Sequence, residues 1–492
     1  MFLLLLLALL AYLFFHFRRV SRLPPGPFPL PIIGNIHQIA YQAWRLNGTV
    51  PMLNYYRKKH GDVFTLWFGP VPHVSIVDHE AIQEMFVKNG SKYADRFLPP
   101  VFLDIAKGLG LIHSNGEHWQ EMRKFVLSFL RSMGVGKELM EQKIMEEFSE
   151  RCKEELDEKA IDGVTVANSS EFFDLTVGSI INNMMVGKRF EGENKADFLK
   201  IKALLDEGQD TLTAFDIIAP VWLSKRFTNR HEIIHNVDKS AKDFIAKEAL
   251  KRIAEVKSGS YVINSDSPED FVDAYILKMN RDPQTFTLDA LRQILHDLWA
   301  AGQDTTSKTL VSGFNHLVRK PELIVEIRKE LLKVTDNGAR SLSLKDRQNT
   351  PFLLATLAEI QRHASIINLN LFRYNHEPTT VSGYHVESGA LVVAQLSAIH
   401  CHEGIFRNPD EFDPWRFIRD EKLLQQVIPF GIGKRACVGE NLARAELYLI
   451  FGNLLLRYDV RAHGALPKVE DQAPFAAGKC PERNVLLKFV KL

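Results

Sequence analysis

Hydrophobic and polar positions alternate along this chain with two periods, and the helical one dominates. Residues 1–17, MFLLLLLALLAYLFFHF, form an uncharged apolar run closed by Arg18, Arg19 and Arg22. Residues 287–319 carry Leu288, Leu291, Leu295, Leu298 and Trp299 in helical register, with no proline until Pro321. That spacing predicts one long helix of roughly 48 Å, at about 1.5 Å per residue. Leu442, Ala445, Leu449 and Leu456 predict a second buried helical stripe. β runs are read in DVFTLWFGPVPHVSIVD at 62–78, with a Gly-Pro turn in its middle, and in SGYHVESGALVVAQLSAIHCH, divided at Ser388-Gly389. From 140 to 256 the chain reads as mainly helical, with charged stretches as solvated faces. The prolines and glycines of 97–112 predict a loop over an apolar site, and 257–268 is the clearest connection.

The N-terminal run is just long enough to cross a hydrocarbon core of roughly 30 Å, which predicts a membrane anchor over 1–22. A cleaved signal peptide is the alternative, but no basic segment precedes the run and no small-x-small site follows it. The arginines behind it place the rest of the chain in the cytosol, where sequons at Asn47, Asn89 and Asn168 would stay unglycosylated. Prolines at 24, 25, 27, 29 and 31 make 23–35 a stiff hinge. No linker divides 36–492, which reads as one catalytic domain. The 492 residues are 46% hydrophobic and 25% charged, an ordinary globular balance, and a net charge of +1 offers nucleic acid no bulk field. Four scattered cysteines, Cys152, Cys401, Cys437 and Cys480, indicate a reducing compartment.

The chemistry concentrates in IPFGIGKRACVGENLARAELYL at 428–449. Gly431 and Gly433 let the loop fold back, Gly439 leaves the backbone open to something flat, and a thiol at a helix N-terminus is biased toward thiolate. A free cysteine by itself is more often a small buried hydrophobe. Within the long helix, AAGQDTT sets Gly302 at mid-helix, where it costs roughly 1 kcal/mol against alanine. Thr305 can turn its hydroxyl to the carbonyl four residues earlier. A glycine for helix packing explains that stretch equally well. Trp119 and Arg123, four apart, share a helix face, as Glu359 and Arg362 do at three. His400-Cys401-His402 does not suit zinc, because adjacent strand side chains point to opposite faces.

Phe430, Gly431, Gly433, Arg435, Cys437 and Gly439 reproduce F-G-x-G-x-R-x-C-x-G, which resembles the haem-binding loop of the cytochrome P450 family. The resemblance runs the length of the chain and is to animal microsomal members of the drug- and lipid-metabolising branch, a nematode one among them. It implies a mainly α fold with a small β lobe, a single large domain holding haem b between the long helix and the helix after Cys437. Cys437 would be the thiolate ligand of the iron, with Phe430 shielding the sulfur and Gly439 beside it. Arg435, Trp119 and Arg123 would bind the haem propionates, joined by Arg96 and Arg373. Ala301-Gly302-x-Asp304-Thr305-Thr306 resembles the oxygen-activation motif, in which Thr305 would hydrogen-bond dioxygen and Asp304 relay protons. Ala300, Ala301 and Asp297 would face the substrate, with Ala301 also against the haem. Glu359, Arg362 and, in FDPWRF, Arg416 resemble the family's structural triad.

The implied reaction inserts one oxygen atom from dioxygen into apolar small molecules, fatty acids, other lipids or xenobiotics, with electrons from NADPH. Implied partners are an NADPH-dependent reductase, cytochrome b5 and the bilayer of the endoplasmic reticulum, with the domain facing the cytosol. Lys124, Arg131, Lys434 and Arg444 could meet an acidic partner or merely form a solvated face. Ile366, Ile367, Asn370, Leu371 and residues 475–478 fall where the family lines its pocket, and 205–227, with Phe215, Ile217, Ile218, Trp222 and Phe227, where it roofs it. INLNLFR lacks the prolines common there. Two rival functions remain: a haem-thiolate isomerase or lyase acting on lipid peroxides, and a non-catalytic haem or lipid binder.

Overall fold

Helices build the body of the protein, and among the described residues three small sheets accompany them. The computed structural model describes residues 2–134, 138–210, 216, 220–367, 369–469 and 480–492. The long helix runs Leu288–Leu317, started by the Thr287 hydroxyl accepting from the Ala290 N–H. It packs along helix Ser169–Val186, and its second half is buried on every side. The two helices approach closely because Gly302 has no side chain: a Cβ there would lie 2.9 Å from Ile181 Cδ1. Packing, the plainer of the two readings, therefore accounts for this glycine.

Among the described residues two large hydrophobic cores result, with a small third cluster at Ala355, Phe406, Phe417 and Val427. The larger joins the long helix to the cysteine helix, Glu440–Arg457, through residues such as Phe314 and Phe451, whose rings lie 4.6 Å apart. Leu442, Ala445 and Leu449 of the predicted stripe are buried and Leu456 is half-buried. The smaller core lies on a four-stranded sheet of order β1-β2-β7-β4, with β1 Val63–Phe68, β2 Val71–Ile76, β4 Arg373–Tyr374 and β7 Leu391–Ala394. The Gly-Pro hairpin β1–β2 and the break at Ser388-Gly389 stand where the alternation put them. β5 Thr379–Val381 and β6 Tyr384–Val386 form a hairpin. β3 Val164–Asn168 pairs with the C-terminal β9 Leu486–Lys491, which also pairs with β8 Tyr458–Ala462.

Four expectations need correction. Leu396–His400, inside the stretch read as β runs, is a short helix. A helix, Pro100–Ala106, forms inside the segment read as loop. Its proline occupies the first turn, where the missing N–H is not needed, and Lys107 ends it in a left-handed conformation. Strand β3 interrupts the stretch read as helical; Asp162 and Gly163, both with positive φ, turn the chain into it. The N-terminal run is one helix, Phe2–Val20, but among the described residues no helix is long and apolar enough to cross a membrane. Arg18 and Arg19 occupy its last turn, leaving an apolar length of roughly 24 Å at about 1.5 Å per residue.

Candidate active site

The loop before the cysteine helix is closed by its own backbone. The Cys437 N–H donates to Phe430 O at 2.9 Å, and the Gly431 N–H to Ile428 O at 3.0 Å. Gly433 has φ +77°, and a Cβ there would fall 1.8 Å from Phe86 O. Gly433→Ala should therefore lower both haem retention and the unfolding midpoint, with a loss above the roughly 1 kcal/mol scale of unstrained glycine changes. Equal haem content in the variant would contradict this.

Cys437 is exposed, and the charges of Glu440, Arg123 and Arg96 reach its sulfur. Burial pushes the thiol up, while the Gly439 N–H, Arg123 and Arg96 pull it back. The net direction is upward, so the helix N-terminus alone does not produce a thiolate here. Coordination to a metal deprotonates a thiol outright and would supply what the chain does not. Arg444 stacks over Phe430 at 4.8 Å and is paired with Glu440, while Lys124, Arg131 and Lys434 are exposed.

Four guanidiniums gather beside this loop. Arg435 lies 3.6 Å over the buried Trp119 ring, with Arg123 at 5.9 Å from the same ring. Trp119 is thus a floor for two cations and not a surface indole. Arg435 donates to Ala94 O at 2.6 Å, Ser114 O at 2.9 Å and Asn115 Oδ1 at 2.8 Å. Arg123 donates to Ala436 O at 2.8 Å, next to the cysteine. Arg96 donates to Ile112 O at 3.0 Å, and its backbone bridges that of Arg373 on β4. Burial, then repulsion among the group, lowers Arg435 to about 8 and Arg373 to about 9. Burial likewise lowers Arg96, to about 10, although Asp297 and Cys437 oppose it.

Arg96 Nε and Arg373 Nη1 are buried without a hydrogen-bond partner among the described residues. Crowded cations with orphaned donors are costly unless an anion joins them. The group they fit carries two negative charges in planar, bidentate form, as a pair of carboxylates does. The residues present therefore suit a haem with two propionates.

On the long helix, Ala301 is exposed, and Ala300 and Thr305 are half-buried, so one face borders open space. Thr305 Oγ1 donates to Ala301 O at 2.7 Å, the back-bond expected of it. Asp304 points into a buried ion cluster, 2.7 Å from Lys308 and 3.1 Å from Lys202. Burial opposes its ionisation, but Lys308 and Lys202 hold its carboxyl down at about 2. Asp174, a neighbour in the cluster, accepts from Gln303 at 2.8 Å and from Ser307. Lys202 and Asp174 went unnoticed in the sequence because they lie on helices far away along the chain. Glu446, wholly buried on the cysteine helix with Thr306 beside it, was also missed; burial raises its carboxyl well above the ordinary range.

Asp297 does not face substrate. It accepts from the Leu111 N–H at 2.6 Å, the Ile112 N–H at 2.9 Å and Gln293 at 2.8 Å. It clamps the loop whose carbonyls hold Arg96 and Arg435. Gly110 makes the approach possible, since a Cβ there would lie 2.3 Å from Asp297 Oδ2. Ile367 and Leu371 are exposed apolar side chains, Ile366 is half-buried, and Asn370 donates to Ala394 O at 3.0 Å. Trp222 and Phe227 are exposed, while Phe215, Ile217, Ile218 and residues 475–478 lie outside the described residues. The Glu359–Arg362–Arg416 triad is assembled, at 2.8 Å and 3.0 Å from the carboxylate. Among the described residues no group of three His, Cys, Asp or Glu could hold a metal ion.

A cysteine loop, an arginine cradle suited to paired carboxylates and a long helix with an open face at Thr305 make up the site. The family model for cytochrome P450 matches residues 24–489, and the chain belongs to that family of monooxygenases. Among individual proteins it is similar to one described as probable cytochrome P450 cyp-35D1 of Caenorhabditis elegans, 49% identical over 97% of this chain and 96% of that one. It is 30% identical to cytochrome P450 2C3 of Oryctolagus cuniculus, over 90% of this chain and 88% of the relative. Cytochrome P450 2M1 of Oncorhynchus mykiss is 32% identical, over 89% and 86% of the two chains.

Proposed function

We propose that the protein inserts one oxygen atom from dioxygen into apolar small molecules, fatty acids, other lipids or xenobiotics, using electrons passed from NADPH by a membrane-bound reductase. Cytochrome b5 would be a second donor. The observation that carries this reading is the four-arginine cradle with two orphaned donors beside Cys437. Haem b, when bound, supplies the iron at which dioxygen is activated, with Cys437 as its thiolate ligand. Arg96, Arg123, Arg373, Arg435 and the Trp119 ring would hold its carboxylates, Phe430 and Gly439 would border the sulfur, and Ala301 would contact it from the long helix.

Thr305 holds a proton at Oγ1, on the open face of the long helix. Asp304, one residue away, is ionised through the whole neutral range and connects to Lys202 and Lys308. Held by these lysines, Asp304 anchors the helix turn that presents Thr305, and protons would reach the Thr305 hydroxyl from the open face of the helix. Thr305→Ala should cut product formed per NADPH consumed by at least roughly tenfold, because positioned proton transfer contributes on the order of 10²-fold or more. NADPH oxidation and product measured together in a reductase-reconstituted assay check this. Full coupling in the variant would remove Thr305 from its role.

The helix Phe2–Val20 exposes Leu4, Leu7, Leu10, Phe14 and Phe15, and Trp222 and Phe227 are exposed elsewhere. These support a protein held on the endoplasmic reticulum membrane by residues 1–22, with 23–35 as a hinge and 36–492 as a cytosolic catalytic domain. The exposed Lys124, Arg131 and Lys434 are candidates for docking the reductase.

A further inference from the structure

His400 is wholly buried at the end of the short helix Leu396–His400 that follows β7, and hydrogen bonds join it to Ile428, Ser365 and Arg362. The Ile428 N–H donates to His400 Nε2 at 3.1 Å. An amide can only donate, so Nε2 carries the lone pair and the imidazole is neutral, with its proton on Nδ1. Nδ1 then donates to Ser365 Oγ at 2.7 Å, and the Ser365 hydroxyl passes its own proton to Arg362 O at 2.9 Å. Arg362 completes the ring from its side chain, donating through Nη1 to His400 O at 2.7 Å. Ser365 ends its helix with φ +35°, a conformation that a serine keeps only when its surroundings hold it there.

The far end of this chain of bonds is the start of the cysteine loop. Ile428 O receives the Gly431 N–H, and Phe430 O receives the Cys437 N–H. The Glu359–Arg362–Arg416 triad thus has a route to the thiol that passes through one imidazole. We propose that His400 is a positioning residue for the Cys437 loop, coupling the buried ion triad to the geometry of the iron ligand. This rests on Cys437 being that ligand. Outer-shell groups that orient a ligand affect metal binding nearly as the ligand does.

The test uses the full-length holoprotein and three substitutions. His400→Phe keeps a buried ring without either nitrogen, His400→Gln retains an acceptor for the Ile428 N–H, and Ser365→Ala breaks the chain one link away. The readouts, at equal haem content, are the rate at which the carbon-monoxide complex converts from its thiolate spectrum to its thiol spectrum in mild denaturant, and hydrogen exchange at the Ile428 amide. His400→Phe should speed conversion on the order of tenfold and Ile428 exchange with it, with His400→Gln between it and the parent. Should His400→Phe fail to fold, Ser365→Ala must still accelerate both. Parent-like conversion and exchange in whichever of these folds overturns the proposal. A parent protein lacking the thiolate spectrum would instead overturn the ligand reading beneath it.

Discussion

Glu359→Gln is expected to destabilise the folded protein by roughly 3–5 kcal/mol, the cost of breaking a buried ion pair from one side. Glu359 is fully buried and accepts from Arg362 at 2.8 Å and 2.9 Å, from Arg416 at 3.0 Å and from the Asp413 N–H at 2.9 Å. Glutamine offers one acceptor in place of two and turns an NH2 toward guanidiniums that are themselves buried. Against a total stability of about 5–15 kcal/mol, the loss is large enough to empty the protein of haem. Burial works against ionisation of Glu359, but Arg362 and His363 overcome it and hold the carboxyl well below the usual carboxylate range. Its contribution is therefore complete above about pH 4.3, the unfolded glutamate value, and disappears as pH falls toward the folded value. Denaturant unfolding of parent and variant at neutral pH and again in acid measures both effects. A difference under about 1 kcal/mol at neutral pH, the scale of an exposed pair, would show that the triad does not hold the fold.

The second large effect is expected at the sulfur. Cys437→Ser should leave haem binding measurable, because the arginine cradle and Trp119 remain, but lose the thiolate signature of the carbon-monoxide complex. Oxygen insertion should fall by more than roughly 100-fold, the upper end of what outer-shell changes around a metal cost. Cys152 offers no replacement: it is buried, and burial pushes its thiol up to about 12. Retention of the thiolate signature in the variant would mean that another cysteine ligates the iron.

What could be read before the structure was what local chemistry writes into neighbouring residues. The loop around Cys437 was legible because a turn, a charge, a sulfur and a helix start all have to fall within a few positions. The long helix and the two-strand hairpin were legible from period alone. Partners far apart in the chain were not. Asp297 looked like a pocket residue until the Leu111 and Ile112 amides stood opposite it. Asp304 carried no sign of Lys202, which belongs to helix Gly192–Asp210. Pro100 was weighed as a helix breaker, although at a first turn it begins one. Strand β3 is defined by its pairing with a C-terminal strand, and a five-residue edge strand is too short to show a pattern of its own.

The measurement that bears most directly on the protein as a thiolate-ligated monooxygenase is turnover under isotopically labelled dioxygen. Purified protein, reconstituted with haem and an NADPH-dependent reductase, would be offered a panel of fatty acids and hydrophobic xenobiotics. One labelled oxygen atom in a product, dependent on NADPH and absent in Cys437→Ser, is the expected result. Rearrangement of a lipid hydroperoxide without reductase, and no label in any product, would contradict it and favour an isomerase built on the same site.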